Sequence, residues 1–299
     1  MTEAAEDYQH PKCYANTRGG CSTKISGEHY VSHGLIKLYS DEDPNFTVQH
    51  KTGKGIGHPV QPKEFKANIL CKTHNNMLHP ADDAALEFAK FLRRIALQYD
   101  AGAGEWGEEE EITVSGDDLQ RWVLKVILNH AVTEHFTEQQ DQEVGFPPEA
   151  IDLLLDRAAW PSTWGMTVPG THRDEGVRVL PFQPKDVVNS HWWDVAPFVH
   201  KDKTWLGGGI VSLAHVSFGL TLFNPGRDMP GWDNPGNPLR GSFQRPASIA
   251  WELEGVEKRI NFAWDYPLHH YGALYQLRPQ SKDDRLAGKP PVGEHYWLE

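Results

Sequence analysis

The amino-acid sequence predicts an α+β fold with a small N-terminal module at residues 1–80, a helical region at residues 81–160 and a mainly antiparallel, β-rich C-terminal domain at residues 161–299. Three observations predict this organisation. All three cysteines lie in the first region, apolar residues recur with helical periodicity in the second, and they alternate strictly in the third. A chain of 299 residues is long enough for two or three compact units.

In the N-terminal module, Ile25, Tyr30 and Val31 favour strand, and Gly27 interrupts it. This pattern predicts a short hairpin within residues 13–33. Residues 40–68 show no periodicity and are rich in Gly, Pro, Lys and His, so we expect a long loop there.

Three helices are predicted in the helical region. The second starts near Leu119, after Ser115-Gly-Asp-Asp, and the third follows Pro147-Pro148 and runs to about Ala159. A linker rich in Gly and Glu is expected at residues 100–111. The first helix is predicted from about residue 80 to residue 99, because five apolar residues fall on one face: Phe88, Phe91, Leu92, Ile95 and Tyr99.

In the C-terminal domain, Ile249-x-Trp251-x-Leu253 and Ile260-x-Phe262-x-Trp264 alternate strictly. The intervening Glu254-Gly255-Val256 is typical of a turn, so these segments predict a hairpin. Residues 210–223 predict either a strand pair or one long strand with a break near residues 217–219.

The cysteines and one histidine have the pattern of a zinc site. Cys71 and His74 are two residues apart, and at the start of a helix positions i and i+3 can both face one ion. Cys13 and Cys21 would complete a tetrahedral Cys3His set that uses every cysteine in the chain. Four protein ligands leave no open position, so the predicted zinc is structural. The alternative is three ordinary buried thiols and a surface histidine.

A second group of residues adjoins this set. Glu28 and His29 supply a carboxylate and an imidazole, which are the groups needed to hold a hard metal ion and to activate a water molecule. Asn75 follows His74 directly, so it projects about 100° further round a helix. The alternative for Glu28 and His29 is a surface pair without a catalytic metal.

The segments Gly-Glu-His-Tyr-Val-Ser at residues 27–32 and Leu-Cys-Lys-Thr-His-Asn at residues 70–75 resemble the HNH, or ββα-metal, endonucleases, in particular their zinc-stapled branch. The resemblance covers about residues 10–80. It implies an HNH-like module that hydrolyses phosphodiester bonds of nucleic acid, with DNA as the expected substrate. In this resemblance His29 is the general base, and Glu28 and Asn75 bind a catalytic Mg²⁺ or Mn²⁺. His79, four residues beyond Asn75, is a further candidate ligand.

The charge distribution bears on a nucleic-acid partner. The net charge is −12, yet residues 1–80 contain nine Lys and Arg against eight Asp and Glu, which leaves this module near neutral. Two interpretations of the basic loop at residues 40–68 stay open, a solvated segment and a nucleic-acid contact. Its lysines are Lys51, Lys54, Lys63 and Lys66.

No segment approaches the apolar length of a membrane span, and the N-terminus lacks a signal peptide. With every cysteine assignable to metal, these features predict a cytoplasmic protein without a membrane partner. The β-rich domain is expected to select substrate, sense a ligand, form a homo-oligomer or bind a protein partner. Nucleases with such accessory domains occur in phage and in antiphage defence, which suggests that setting by analogy.

Two other functions remain open from the sequence. The main alternative is a non-enzymatic, zinc-stabilised module that binds nucleic acid or protein. A third is a β-domain ligand sensor in which the zinc unit only braces the fold.

Overall fold

The N-terminal part of the chain contains a strand–strand–helix unit. Strand β1 (Ile25–His29) is followed by helix α1 (His33–Ser40) and by a small two-stranded ribbon of β2 (Val48–His50) and β3 (His58–Val60). Strand β4 (Lys66–Cys71) then pairs antiparallel with β1 and leads directly into helix α2 (Lys72–Asn76).

The remaining elements are two long helices, one short helix and the strands of two larger sheets. They are α3 (His79–Ala101), β5 (Glu110–Ser115), α4 (Gly116–Ala131), α5 (Glu149–Leu154), β6 (Gly165–Thr167), β7 (Trp193–Val199), β8 (Leu206–Leu213), β9 (Val216–Thr221), β10 (Arg245–Leu253), β11 (Val256–Ala263), β12 (His270–Leu277) and β13 (Gly293–Leu298). The fold is described from a computed structural model for residues 8–40, 45–50, 58–101, 106–133, 145–161, 164–168, 193–199, 205–214, 216–222, 245–265, 270–278 and 293–298, with isolated positions at 281, 283–284 and 287.

The short hairpin predicted within residues 13–33 is wrong. Strand β1 pairs with β4, about forty residues later, and Ile25 lies opposite Cys71. The intervening chain includes α1, whose Leu35, Ile36 and Tyr39 are buried against the core. These apolar residues have helical spacing, which explains why the chain leaves β1 for a helix and not for a turn.

The two long helices confirm the periodicity read from the sequence. Helix α3 buries the predicted stripe of Phe88, Phe91, Leu92 and Ile95, while the side chain of Tyr99 lies outside the described residues. The third helix is shorter than predicted and ends at Leu154, because the backbone at Asp156 is left-handed (φ 57°).

The β-rich part forms two sheets. The four-stranded sheet, in the order β6-β9-β8-β7, is entirely antiparallel. The five-stranded sheet, in the order β13-β12-β10-β11-β5, contains two antiparallel and two parallel pairs. Its edge strand β5 includes Glu110 and Glu111, which the sequence had assigned to a linker.

The predicted hairpin is confirmed by β10 and β11, which are joined by a two-residue turn. Both turn residues have left-handed backbone angles, φ 51° at Glu254 and φ 85° at Gly255, as in the turns that match strand twist. The strand pair at residues 210–223 is also present: β8 ends at Leu213 and β9 begins at Val216, so residues 217–219 lie within β9.

Helix α4 lies at the centre of the molecule and contacts strands of both larger sheets, as well as α3 and α5. The buried apolar residues of the N-terminal, helical and β-rich regions form one continuous cluster. Within the described ranges, no helix is both long and apolar enough to cross a membrane.

Helix α4 begins at a side-chain cap: the Ser115 hydroxyl accepts a hydrogen bond of 3.1 Å from the backbone N–H of Asp118. Ser115→Ala should therefore lower the free energy of unfolding by about 1 kcal/mol, because the backbone N–H of Asp118 loses its hydrogen-bond acceptor. Chemical denaturation would measure this change. Ser115→Asn, which keeps an acceptor, is the control, and an equal loss in both variants would show that the cap contributes nothing.

Candidate metal centre and the adjoining charged site

The four predicted zinc ligands converge on one buried point. The ligand atoms of Cys13, Cys21, Cys71 and His74 all lie within 4.8 Å of one another. His74 Nδ1 is 3.4 Å from Cys13 Sγ and 3.7 Å from Cys21 Sγ. In the part of the chain that the structure describes, this is the group of three or more Cys, His, Asp or Glu residues close enough to hold a metal ion. The cluster could bind such an ion.

Local backbone geometry places these ligands. Cys71 is the N-cap of α2, and its Sγ accepts from the backbone N–H of His74 at 3.5 Å, so both residues of the pair lie at one helix start, as the spacing predicts. The wider Cys13-to-Cys21 loop contains a turn of 3-10 helix and then Gly19 and Gly20, both at φ 67°. This left-handed backbone, favoured by glycine, returns the chain to the cluster.

Burial opposes thiolate formation in this cluster, so a bound cation has to displace the thiol protons. Burial raises the pKa of the Cys13 thiol to about 12, and burial also raises the pKa of Cys21. Burial also acts on Cys71, but backbone N–H groups of His74 and Ser22 outweigh it and lower the pKa of that thiol. Burial and then Arg157 lower the pKa of His74, which keeps the imidazole in its neutral, ligating form. Close buried thiolates repel one another, and a cation relieves that repulsion.

Glu28 lies in a buried ion network. Its side chain is 5% exposed, and its Oε1 is 2.5 Å from Lys125 Nζ of α4. The same ammonium is 2.8 and 2.9 Å from the two carboxylate oxygens of Asp82 of α3. Burial raises the pKa of Glu28, and Lys125 opposes that rise. Two carboxylates therefore share one ammonium, which leaves a net charge of −1 at this point.

Helix α4 also binds the backbone and hydroxyl groups around Glu28. Asn129 Nδ2 donates to the carbonyl of His29 at 3.3 Å, and Tyr14 donates to Asn129 Oδ1 at 3.2 Å. Trp122 Nε1 donates to Ser32 Oγ at 2.9 Å, and this hydroxyl donates in turn to Asp82. The stretch Glu28-to-Ser32 is thereby fixed to one face of α4.

Sequence reasoning missed Lys125, Asn129 and the partner role of Asp82. Lys125 and Asn129 fall three and seven positions after Trp122, on the helix face that buries apolar residues. Two polar residues on an otherwise apolar helix face indicate buried polar partners, and this pattern in the sequence could have identified both residues.

His29, the last residue of β1, is half-buried and adjoins other imidazole and ammonium groups. Its ring centroid is 4.7 Å from that of His33, and its buried Nε2 atom has no hydrogen-bond partner among the described residues. Burial, followed by the charges of His33 and Lys66, lowers the pKa of His29 to about 4. The imidazole is therefore neutral near pH 7.

The alternation of β1 separates the candidate residues. Asn75 Nδ2 donates to Ser26 Oγ at 2.9 Å, but a β-bulge interrupts the β1–β4 pairing between Ser26 and Glu28, so this contact does not place Asn75 beside Glu28. Glu28 lies on the face of β1 that meets α4. His29 lies on the other face, where it is paired with Lys66 of β4. Because His29 ends the strand, its pKa also responds to Lys125 and Asp82.

The existing contacts of Glu28 and Asn75 determine which of their oxygen atoms remain free to bind a hard cation such as Mg²⁺. Asn75 uses its amide nitrogen to bind Ser26, which leaves its carbonyl oxygen as a ligand. Glu28 can offer the part of its carboxylate that Lys125 does not hold. His79, the first residue of α3, is exposed and is not a member of the four-residue cluster.

Comparison with protein-family models, curated proteins and solved structures finds no match to this chain.

Protein purified without added metal should contain one tightly bound metal ion per chain. Cys71→Ser should remove that ion and unfold the first eighty residues, because the binding free energy of such a site, about 10–16 kcal/mol for structural zinc, is comparable to the stability of a whole domain. Elemental analysis and thermal denaturation measure both effects. His74→Ala should behave similarly, while His79→Ala, an exposed histidine outside the cluster, should keep the ion. Substoichiometric metal, or a Cys71→Ser protein of unchanged melting temperature, would contradict the assignment.

Proposed function

We propose that this protein is a metal-dependent, HNH-like endonuclease that hydrolyses phosphodiester bonds of nucleic acid, with DNA as the expected substrate. The observation that carries the proposal is a neutral imidazole, His29, with an unpartnered Nε2 atom among the described residues, at the end of β1 away from the Cys3His cluster. The order β1, β4, α2 supports it, since this is a strand–strand–helix unit with the cluster at its helix start.

The ion proposed for Cys13, Cys21, Cys71 and His74 is zinc. Three thiolates and one imidazole are ligands that zinc prefers, and they suit its tetrahedral geometry. Because the protein fills all four positions, the zinc has a structural role and takes no part in the chemistry.

His29 is the proposed general base. A neutral imidazole can accept a proton from the attacking water, and its buried Nε2 has no competing hydrogen bond among the described residues. The approach of an anionic phosphodiester raises the pKa of a neighbouring imidazole, which brings His29 closer to the range that suits a base at neutral pH. Lys66, which is paired with His29 across the two strands, supplies positive charge for the phosphate.

Glu28 and Asn75 are the proposed ligands of one Mg²⁺ or Mn²⁺. Both offer oxygen, which hard cations select, and Asn75 binds Ser26, two residues before Glu28. When bound, the ion would polarise the scissile phosphate and neutralise charge that develops on the leaving oxygen.

The ion pair between Glu28 and Lys125 favours the second candidate function. A carboxylate that is 5% exposed and already paired with an ammonium needs no metal ion to be stable. In that case the module would bind nucleic acid or a protein without cleaving it, with the zinc unit as a scaffold.

A plasmid-nicking assay with and without Mn²⁺ separates these functions. The wild-type chain should nick DNA only with the divalent ion, and His29→Ala should lose about 10²–10⁴-fold in rate because the general base is missing. The variant should retain its zinc and melting temperature, since His29 lies outside the Cys3His set. Asn75→Ala should also lose activity, and higher Mn²⁺ should partly restore it. Glu28→Asp should retain some cleavage.

Equal cleavage by the wild type and His29→Ala would disprove the mechanism and leave the zinc site intact. A wild-type chain that cleaves neither DNA nor RNA with any divalent ion would leave the binding module as the function.

Lys66 should contribute to nucleic-acid binding, since it is exposed on the same face as His29. Lys66→Ala should weaken binding and reduce the slope of log K against log salt by about 0.9, the value of one phosphate contact on B-DNA. Lys90→Ala, an exposed lysine on α3 outside the basic loop, is the matched control. Lys51 and Lys54 lie outside the described residues. Equal salt slopes for wild type and Lys66→Ala would remove Lys66 from the contact surface.

A further inference from the structure

A groove of about 350 Å³ between α1 and α3 combines apolar and cationic side chains. Leu97 of this groove is 51% exposed, and in the described part of the chain the only other exposed large apolar side chain is Met77. An exposed apolar surface that is bordered by charged residues is typical of an interaction site. The residues that line the groove are Leu38, Lys90, Arg93, Arg94, Leu97 and Gln98.

The cations of this basic groove lie on one face of α3. Lys90, Arg94 and Leu97 follow one another at positions i, i+4 and i+7, and Arg93 lies between them, opposite the buried stripe of the helix. The whole chain has a net charge of −12, so this group of three cations within five residues has the opposite sign to the molecule as a whole. The groove therefore attracts negatively charged groups.

An acidic run, residues 108–111, adjoins the basic groove. It consists of four consecutive glutamates, of which three are exposed. Glu110 forms an ion pair with Arg94, which places the acidic run beside the groove. Lys258 Nζ is 3.6 Å from the same Glu110 carboxylate, and burial and then the charge of Arg94 lower the pKa of Lys258. Glu110 thus neutralises two cations only in part, and the groove side keeps an excess of positive charge.

Adjoining patches of opposite charge are suited to a two-fold symmetric contact. In a symmetric dimer the same surface of both copies takes part, so that each residue meets its partner twice. A two-fold axis between the basic groove and the acidic run places the groove of each copy against the run of the other. A surface of one sign would repel its own copy in the same contact.

The acidic run also decides between the possible partners. It continues into β5, an edge strand that pairs with β11 alone within the described part of its sheet. Charged side chains on an edge strand oppose the addition of a further strand, so a partner meets this surface through side chains. The glutamates also repel a phosphodiester backbone, so a second copy of this chain fits the surface better than nucleic acid does.

We propose that the basic groove and the acidic run form a two-fold symmetric dimer interface of this protein. Lys90 and Arg93 of one copy meet Glu108 and Glu109 of the other, and Leu97 supplies an apolar contact. The inference goes beyond the nuclease function and does not depend on it, because no residue of the interface belongs to the site around His29.

The test is analytical ultracentrifugation of the full chain, which should contain a species of twice the chain mass. Lys90→Glu/Arg93→Glu should be monomeric, because an acidic groove then meets an acidic run. Glu108→Lys/Glu109→Lys should be monomeric because both surfaces are then basic. An equimolar mixture of the two variants should dimerise again, since the acidic groove of the first meets the basic run of the second and the two unchanged surfaces meet at the other contact.

Leu97→Ala tests the apolar part of the interface. Both copies lose the side chain at once, so the dissociation constant should rise by about 10–100-fold. The fold should be retained, because the side chain is 51% exposed. Circular dichroism, at a concentration where the wild type is dissociated, checks the fold of this variant and of both charge-reversed variants.

Lys24→Glu/Lys63→Glu is the matched control. It makes the same change in net charge with two exposed lysines that do not line the groove, and it should dimerise like the wild type. If this control loses the dimer as fully as Lys90→Glu/Arg93→Glu does, general charge repulsion explains the loss and the proposal is overturned.

A wild-type chain that stays monomeric at about 0.1 mM, where even a weak contact is populated, would also overturn the proposal. So would a mixture of the two folded charge-reversed variants that stays monomeric, or a groove variant that dimerises like the wild type. If a charge-reversed variant does not fold, Leu97→Ala decides. A monomeric wild type whose DNA affinity falls in Lys90→Glu/Arg93→Glu would assign the groove to nucleic acid instead. A dimer that cleaves no nucleic acid would refute the nuclease function alone.

Discussion

The buried ammonium of Lys125 is the constraint on which the N-terminal half of the fold depends. It joins three elements, β1 through Glu28, α3 through Asp82 and α4 through Lys125 itself. A buried charge that loses its partner costs about 3–5 kcal/mol, so these elements can pack in few other ways. The apolar contacts between α3 and α4 supply most of the attraction, but the ion triad fixes which residues meet.

Strand β1 is held at both ends by polar interactions of different kinds. At one end, Ile25 lies opposite Cys71, where the four soft ligands of the Cys3His cluster converge. At the other, the carboxylate of Glu28 and the carbonyl of His29 are bound by α4. A site needs this kind of support, because a reactive side chain must be held to within about half an ångström to be effective. His29 stands on a short strand whose backbone has little freedom to move.

The sequence allowed prediction of those features that depend on near neighbours along the chain. The Cys71–His74 spacing, the stripe of α3 and the Glu254–Gly255 turn each follow from local geometry, and each is present. The pairing of β1 with β4 and the entry of β5 into a parallel pair depend on contacts between distant residues, which no local pattern specifies. Lys125 was overlooked for the same reason: its partners lie about forty and one hundred positions away.

Whether the protein cleaves nucleic acid or only binds it depends on whether the Glu28 carboxylate can bind the Lys125 ammonium and a divalent metal ion at the same time. An ammonium and a divalent ion on the same carboxylate repel each other, which by itself disfavours the metal. Asp82 changes this balance, because two carboxylates and one ammonium together carry a net negative charge, which attracts a divalent ion. Asp82 is 26% exposed and Glu28 only 5%, so water screens the charge of Asp82 more strongly and reduces its contribution to the site. Catalysis by the proposed mechanism requires Glu28 to bind the divalent ion while Lys125 stays paired, whereas a binding module requires only the ion triad that is present.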